Sequence, residues 1–343
     1  TRFHAQALRT ALRLVFMQGG FTMRMLLTGL CAAGLVAGAA LADDLILVVN
    51  KGEDTLALVD AETFEVMATV PTGANPHEVY PSPDGRLAYV SDYGGAQGTS
   101  VTVIDLDTAS ATASWDIAPN RGPHGIWVSG DGAHVWVTTE TSGTVTEIDA
   151  ATGEVATVWH TGQAVSHQLI PTPDGAKLYI ANIGSGSVTV ITRATGDVVS
   201  IPTGAGAEGI DVSPDGSEVW VTNRGDATVS VIDVASDTVT ATFASGGLLP
   251  IRARFTPDGN EVWVSNANSN NVAVFDAATH ALLATVEVGA IPVGLLMEPN
   301  GERVFVANTQ DDFVTVIDRE SREVTGRIET GDEPDGMAWA VRD

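Results

Sequence analysis

Three histidines of this 343-residue chain stand at one offset. His77 in NPHEVYPSPDG, His124 in GPHGIWVSGDG and His167 in SHQLIPTPDG each lie seven residues ahead of a turn aspartate, Asp84, Asp131 or Asp174. The chain holds seven histidines in all, so placing three of them at one repeated position asks for a chemical reason. Neutral imidazoles bind borderline transition metals, and three of them with an open fourth position describe a reactive zinc site; copper, manganese and iron accept the same donors. The same slot holds Glu208, Ile251, Val293 and Asp335 elsewhere in the chain. Glu208 and Asp335 are therefore the candidate catalytic carboxylates. Each could complete the coordination, orient a ligand histidine or serve as general base.

The next slot along the chain holds Gly125, Gly209, Gly294 and Gly336 in some copies, and Glu78, Gln168 and Arg252 in the others. Arg252 is the cation placed to meet an anionic group, with a salt bridge to a neighbouring acid as the competing role. Arg121 lies in a loop entering the same region. A further set of residues follows the repeated [YWF]-V-[TSA]-N segments: Lys51, Tyr93, Glu140, Ile183, Arg224, Ala267 and Thr309. Varied chemistry on a constant scaffold is what a ligand-contacting rim shows, as well as what a solvated loop shows. Tyr93, Glu140 and Arg224 join Glu78, Gln168, Arg252 and Arg121 as candidate ligand contacts.

The elements that must carry these residues repeat. LVVN, YVSD, WVTT, YIAN, WVTN, WVSN and FVAN begin at Leu47, Tyr89, Trp136, Tyr179, Trp220, Trp263 and Phe305, about 42 residues apart. A second alternating strand follows each, as in SVTVID from Ser100, then a turn, a third strand and a Pro-Asp-Gly-type hairpin. Four short strands per unit without helical periodicity predict an all-β, seven-bladed β-propeller with antiparallel blades. The segment EPDGMAWAVRD, from Glu333, matches only a unit's first strand, and the LVVN strand opens part-way through a unit. The C-terminal strand is thus expected to complete the N-terminal blade and close the ring. Closure makes Asp335 a neighbour of His77, giving an arc of Asp335, His77, His124, His167 and Glu208 at one mouth of the central channel.

The aromatic-Val-Thr-Asn segments, the VID segments and the SPDG turns resemble the YVTN family of seven-bladed propellers across residues 43–343. That family is similar to surface-layer proteins, to lactonase-like propellers and to the haem d1 propellers of nitrite reductases, so the resemblance implies a fold, and function must come from the site. Most repeated polar residues are expected to be scaffold. Asp84, Asp174, Asp215 and Asp258 sit in Pro-Asp-Gly turns, and Asp60, Asp105, Asp149, Asp233, Asp276 and Asp318 precede turns whose backbone they can cap. The repeated aromatics are expected to pack between blades.

Composition narrows the setting. Met23-Arg24-Met25, an apolar run and Ala40-Leu41-Ala42 read as a signal peptide over residues 23–42, cleaved after Ala42, with residues 1–22 an upstream extension. The single cysteine, Cys31, falls in this leader, so the mature chain would have no disulfide, cysteine-ligated metal or covalent haem. With 17 basic residues against 43 acidic ones the net charge is −26, and the leader removes only arginines. Such a charge repels nucleic acid and anionic membrane surfaces. The expectation is a periplasmic or extracellular monomer without a membrane span after cleavage. It would bind a metal ion, a small molecule or a periplasmic protein partner at the channel mouth. The alternative is a metal-dependent hydrolase or lyase, lactonase-like, acting on a small lactone or sugar-like substrate.

Overall fold

The computed structural model describes residues 44–342. The expected leader and its upstream extension lie outside the described residues. Among the described residues no helix is long and apolar enough to cross a membrane.

Seven four-stranded antiparallel sheets make up the described chain, with one short 3₁₀ helix at Ala267–Ser269. The innermost strands are Pro76–Pro81, Pro123–Val128, Ser166–Pro171, Ala207–Val212, Pro250–Phe255, Pro292–Met297 and Pro334–Ala340. Each packs on the next, and the last packs on the first. The predicted closure is present: Pro334–Ala340 pairs antiparallel with Leu45–Asn50, Leu45 opposite Ala340 and Val48 opposite Met337. The N-terminal blade is thereby completed by the chain's last strand, and no sheet edge is left open at the junction.

The core lies between blades, where the aromatic-Val segments were expected to pack. Trp220 is buried against Ala253, Phe255 and Val262 of the following blade, and Trp263 against Leu295, Val304 and Val306. Phe305 meets Ile46, Val48 and Ala57 across the closing junction. Full burial of one such ring contributes about 1.5–3 kcal/mol, so blade-to-blade contact dominates cohesion. The aspartates cap turns: Asp84 accepts from Ser82 Oγ at 2.5 Å, and Asp60 accepts from the Thr63 amide at 2.7 Å. The segment-ending asparagines brace hairpins, with Asn308 Nδ2 donating to Thr315 Oγ1 at 2.8 Å and Asn182 Nδ2 to Thr189 Oγ1 at 3.0 Å.

One feature of every innermost strand positions the site. The ladder to the second strand breaks near the strand's start, between Pro76 and Val79, Pro123 and Ile126, Ser166 and Leu169, and at the equivalent points around the ring. A bulge takes residues out of the ladder and re-aims their side chains. The residue before each of these strands has positive φ, from Asn75 at 50° to Gly206 at 74°. The bulge also frees an amide, and in four blades the Ser or Thr of the aromatic-Val-Thr-Asn segment receives it. Ser91 Oγ accepts from the Glu78 amide at 3.1 Å, and Thr138 and Thr222 accept from Gly125 and Gly209 at 2.8 Å. The same hydroxyls reach the next blade: Ser91 donates to the His124 carbonyl at 2.5 Å, and Thr138 donates to the carbonyl of His167.

Candidate functional site

The bulges deliver His77, His124 and His167 side by side at one mouth of the channel. The ring centroids of His77 and His124 are 4.5 Å apart, and those of His124 and His167 3.7 Å. His124 is buried, and its Nδ1 has no hydrogen-bond partner. Burial, reinforced by the neighbouring His167 and His77, holds the His124 pKa well below the ordinary imidazole value. Burial, Arg252 and His77 do the same for His167. Both imidazoles are therefore neutral at neutral pH, the form that binds metals.

The rim loops add to the arc from above. Glu140 contacts His167 Nδ1 through Oε1, and its other oxygen accepts from the Tyr93 hydroxyl at 2.6 Å. The Tyr93 ring stands edge-on to His77, at 4.7 Å between centroids. On either side, two carboxylates at the predicted slot flank the histidines. Asp335 Oδ2 lies 3.2 Å from His77 Nδ1 and 3.4 Å from Lys51 Nζ. Burial opposes its ionisation, but Lys51, the His77 hydrogen bond and Arg252 outweigh burial and hold the carboxyl well below the usual range. Glu208 Oε1 lies 3.5 Å from His167 Nε2, and Oε2 is 2.9 Å from Arg224 Nη1. Burial pushes the Glu208 pKa up to about 7, against the pull of Arg224 and Arg252.

The arc Asp335, His77, His124, His167, Glu208 is thus contiguous, and Tyr93, Glu140 and Arg224 join it from the rim. The donor atoms that converge most closely differ from the three-histidine set. They belong to His124, Glu140 and His167, all within 4.8 Å of one another. His77 is drawn aside by Asp335, while Glu140 reaches over His167 from its loop. Two imidazole nitrogens and a carboxylate oxygen suit zinc, copper, manganese or iron. Arg121 does not join the site. It is exposed, and Nη1 reaches Gln97 Oε1 at 3.4 Å. Lys51 was visible in the sequence only as one of the varied rim residues; its role as the Asp335 counter-ion depends on ring closure.

One layer deeper, Glu78, Gln168 and Arg252 meet across the channel. Glu78 Oε1 accepts from Gln168 Nε2 and from Arg252 Nη2, each at 2.6 Å. The salt-bridge role of Arg252 is realised here, and the three side chains plug the channel beneath the histidines.

A family model described as lactonase, seven-bladed β-propeller, matches residues 47–284 and 160–334. The chain belongs to that family. No curated protein sequence matches it. Solved structures similar to this lactonase-family propeller include hydrazine synthase of Kuenenia stuttgartiensis, at 23% identity and TM-score 0.66, covering 76% of this chain and 88% of that one. A Bacteroides fragilis protein provisionally assigned as a 6-phosphogluconolactonase is 16% identical with TM-score 0.71, covering 87% and 98%. Dihydro-haem d1 dehydrogenase NirN, solved in complex with DHE, is 19% identical with TM-score 0.64, covering 86% and 74%. At these identities the likeness shows the propeller fold.

Proposed function

We propose that this lactonase-family propeller binds a divalent transition-metal ion at the histidine mouth and presents it to a small ligand entering from the rim. The supporting observation is the unpartnered, buried Nδ1 of His124, next to His167 and the Glu140 carboxylate. Buried polar atoms are nearly always paired, and an ion pairs this one. His77 stands beside the set, its orientation governed by Asp335 and Lys51. The leader-like N-terminal sequence and the acidic charge support a periplasmic or exported setting, in which the mature protein would begin at Asp43.

The test is calorimetric titration of chelator-treated protein with zinc. One equivalent is expected to bind, and His124→Ala and His167→Ala are each expected to weaken binding at least tenfold. Absence of stoichiometric binding, or equal affinity in the variants, would contradict the reading.

A second reading is supported by Glu208, whose pKa near 7 is that of a working general base, and by the lactonase family match. A bound ion would polarise the carbonyl of a lactone or sugar-like ester. Glu208, beside His167 and steadied by Arg224, would take the proton from the attacking water. Glu208→Gln is then expected to lower lactone turnover about 10²–10⁴-fold while zinc affinity stays within a few-fold. Screening the metal-loaded protein on a panel of lactones decides between binding and hydrolysis, and no turnover on any of them removes the second reading.

A further inference from the structure

The far end of the channel has a different chemistry. Beneath the Glu78–Arg252 plug lies a cavity of about 240 Å³, which meets a wider one of about 750 Å³ at the Pro-Asp-Gly turn face. Both are lined by Tyr80, Trp127 and Trp339. These come from three consecutive innermost strands and form an aromatic wall; the Tyr80 and Trp127 rings lie 4.1 Å apart with a 34° tilt. Across the ring, Asp211 and Arg254 face that wall.

The cavity holds several donors without a protein acceptor. The Tyr80 hydroxyl and the Trp127 indole N–H have no hydrogen-bond partner among the described residues. Arg254 commits Nη1, to the carbonyls of Ile210 at 3.3 Å and Ala253 at 3.4 Å and to an ion pair with Asp211 Oδ1 at 3.8 Å, while Nε and Nη2 have no hydrogen-bond partner among the described residues. The carboxylates that line the cavity are each held by one oxygen: Asp211 Oδ2 takes the Phe255 amide at 2.8 Å, and Asp131 and Asp174 take the hydroxyls of Ser129 and Thr172, each at 2.6 Å. Tyr80, Trp127 and Arg254 line the same cavity of about 240 Å³, so the donors surround one space. An apolar, partly aromatic pocket with a few convergent polar groups is the usual form of a small-molecule site.

We propose that this second cavity binds a planar aromatic carboxylate, its ring against Tyr80, Trp127 and Trp339 and its acid group on the Nε–Nη2 edge of Arg254, opposite the Nη1 that pairs with Asp211. The site is separate from the histidine mouth and does not depend on a metal there. The protein's strong negative charge works against anions generally, so preference for a carboxylate must come from Arg254.

Calorimetric titration with 2-naphthoate and with neutral 2-naphthamide tests this, with melting curves confirming that each variant is folded. One equivalent of naphthoate is expected to bind about tenfold more tightly than the amide. Arg254→Gln removes that preference, and Trp127→Leu weakens both ligands. His124→Ala leaves both unchanged, which separates this site from the metal reading. The proposal is overturned by a lack of saturable naphthoate binding, by naphthoate binding that ignores both Arg254→Gln and Trp127→Leu, or by loss of binding in His124→Ala. Should Arg254→Gln fail to fold, the naphthoate-to-naphthamide comparison and Trp127→Leu still decide.

Discussion

Asp92 shows how one residue's departure from a repeat has an electrostatic consequence. Five of the seven equivalent positions hold asparagine, whereas Asp92 is an aspartate buried among Ser100, Thr102 and the Gly73 amide. Burial pushes its pKa up to about 6, despite hydrogen bonds that pull it down. The folded state therefore holds this proton more tightly than the unfolded chain does. The resulting stabilisation is present below about pH 4 and is lost as pH rises to about 6, after which the residue costs a constant amount. Asp92→Asn is expected to raise stability by about 1–3 kcal/mol at pH 8 and by little at pH 4, measured by denaturant unfolding. Identical pH dependence in the two proteins would refute it. At this scale the sequence was informative about identity and silent about partners. His77, His124, His167, Glu208 and Asp335 were visible as one slot, but no spacing rule reveals that Asp335 would take His77 while Glu140 would meet His167. Those pairings join a rim loop to a neighbouring blade's strand, and the last innermost strand to the first, contacts that only the ring brings together.

At the scale of the element, the bulged start of each innermost strand makes the site. Repeat length and alternation predict the strands, since period-2 patterning survives in every copy. The bulges were not foreseen, because the residues involved vary from His-Glu to Ile-Arg and carry no common signature. In retrospect the Ser or Thr of the aromatic-Val-Thr-Asn segments marked four of them, as Ser91, Thr138, Thr222 and Ser265 accept the freed amide, whereas Val49, Ala181 and Ala307 stand there in the other blades. The positive-φ entry is equally hidden, since Val165 and Ile291 occupy it as well as Asn75 and Gly122. The following slot obeys a steric rule around the ring. Glu78, Gln168 and Arg252 fill the channel from alternate blades, and glycine stands between them where the neighbouring backbone comes close. A Cβ at Gly209 would lie 2.3 Å from the Ile251 carbonyl oxygen. Gly209→Ala is expected to destabilise by about 2–4 kcal/mol, read from thermal melts, because the contact is backbone and cannot swing away. A variant as stable as the parent would show that the innermost strands separate more easily than this packing allows.

The whole molecule unites two chemistries through one channel: imidazoles and carboxylates at one mouth, an aromatic wall facing the Arg254–Asp211 pair at the other, with the Glu78–Arg252 plug between them. Ring closure was legible in the sequence because the last segment supplies only the strand that the first blade lacks. Closure also completes the histidine arc, since it brings Asp335 to both Lys51 and His77. The metal ion proposed for His124, His167 and Glu140 is visible to anomalous diffraction from crystals grown with zinc. A single anomalous peak is expected within about 2.0–2.2 Å of donor atoms of His124, His167 and Glu140. A channel mouth without such a peak, or zinc bound only elsewhere on the acidic surface, would contradict it.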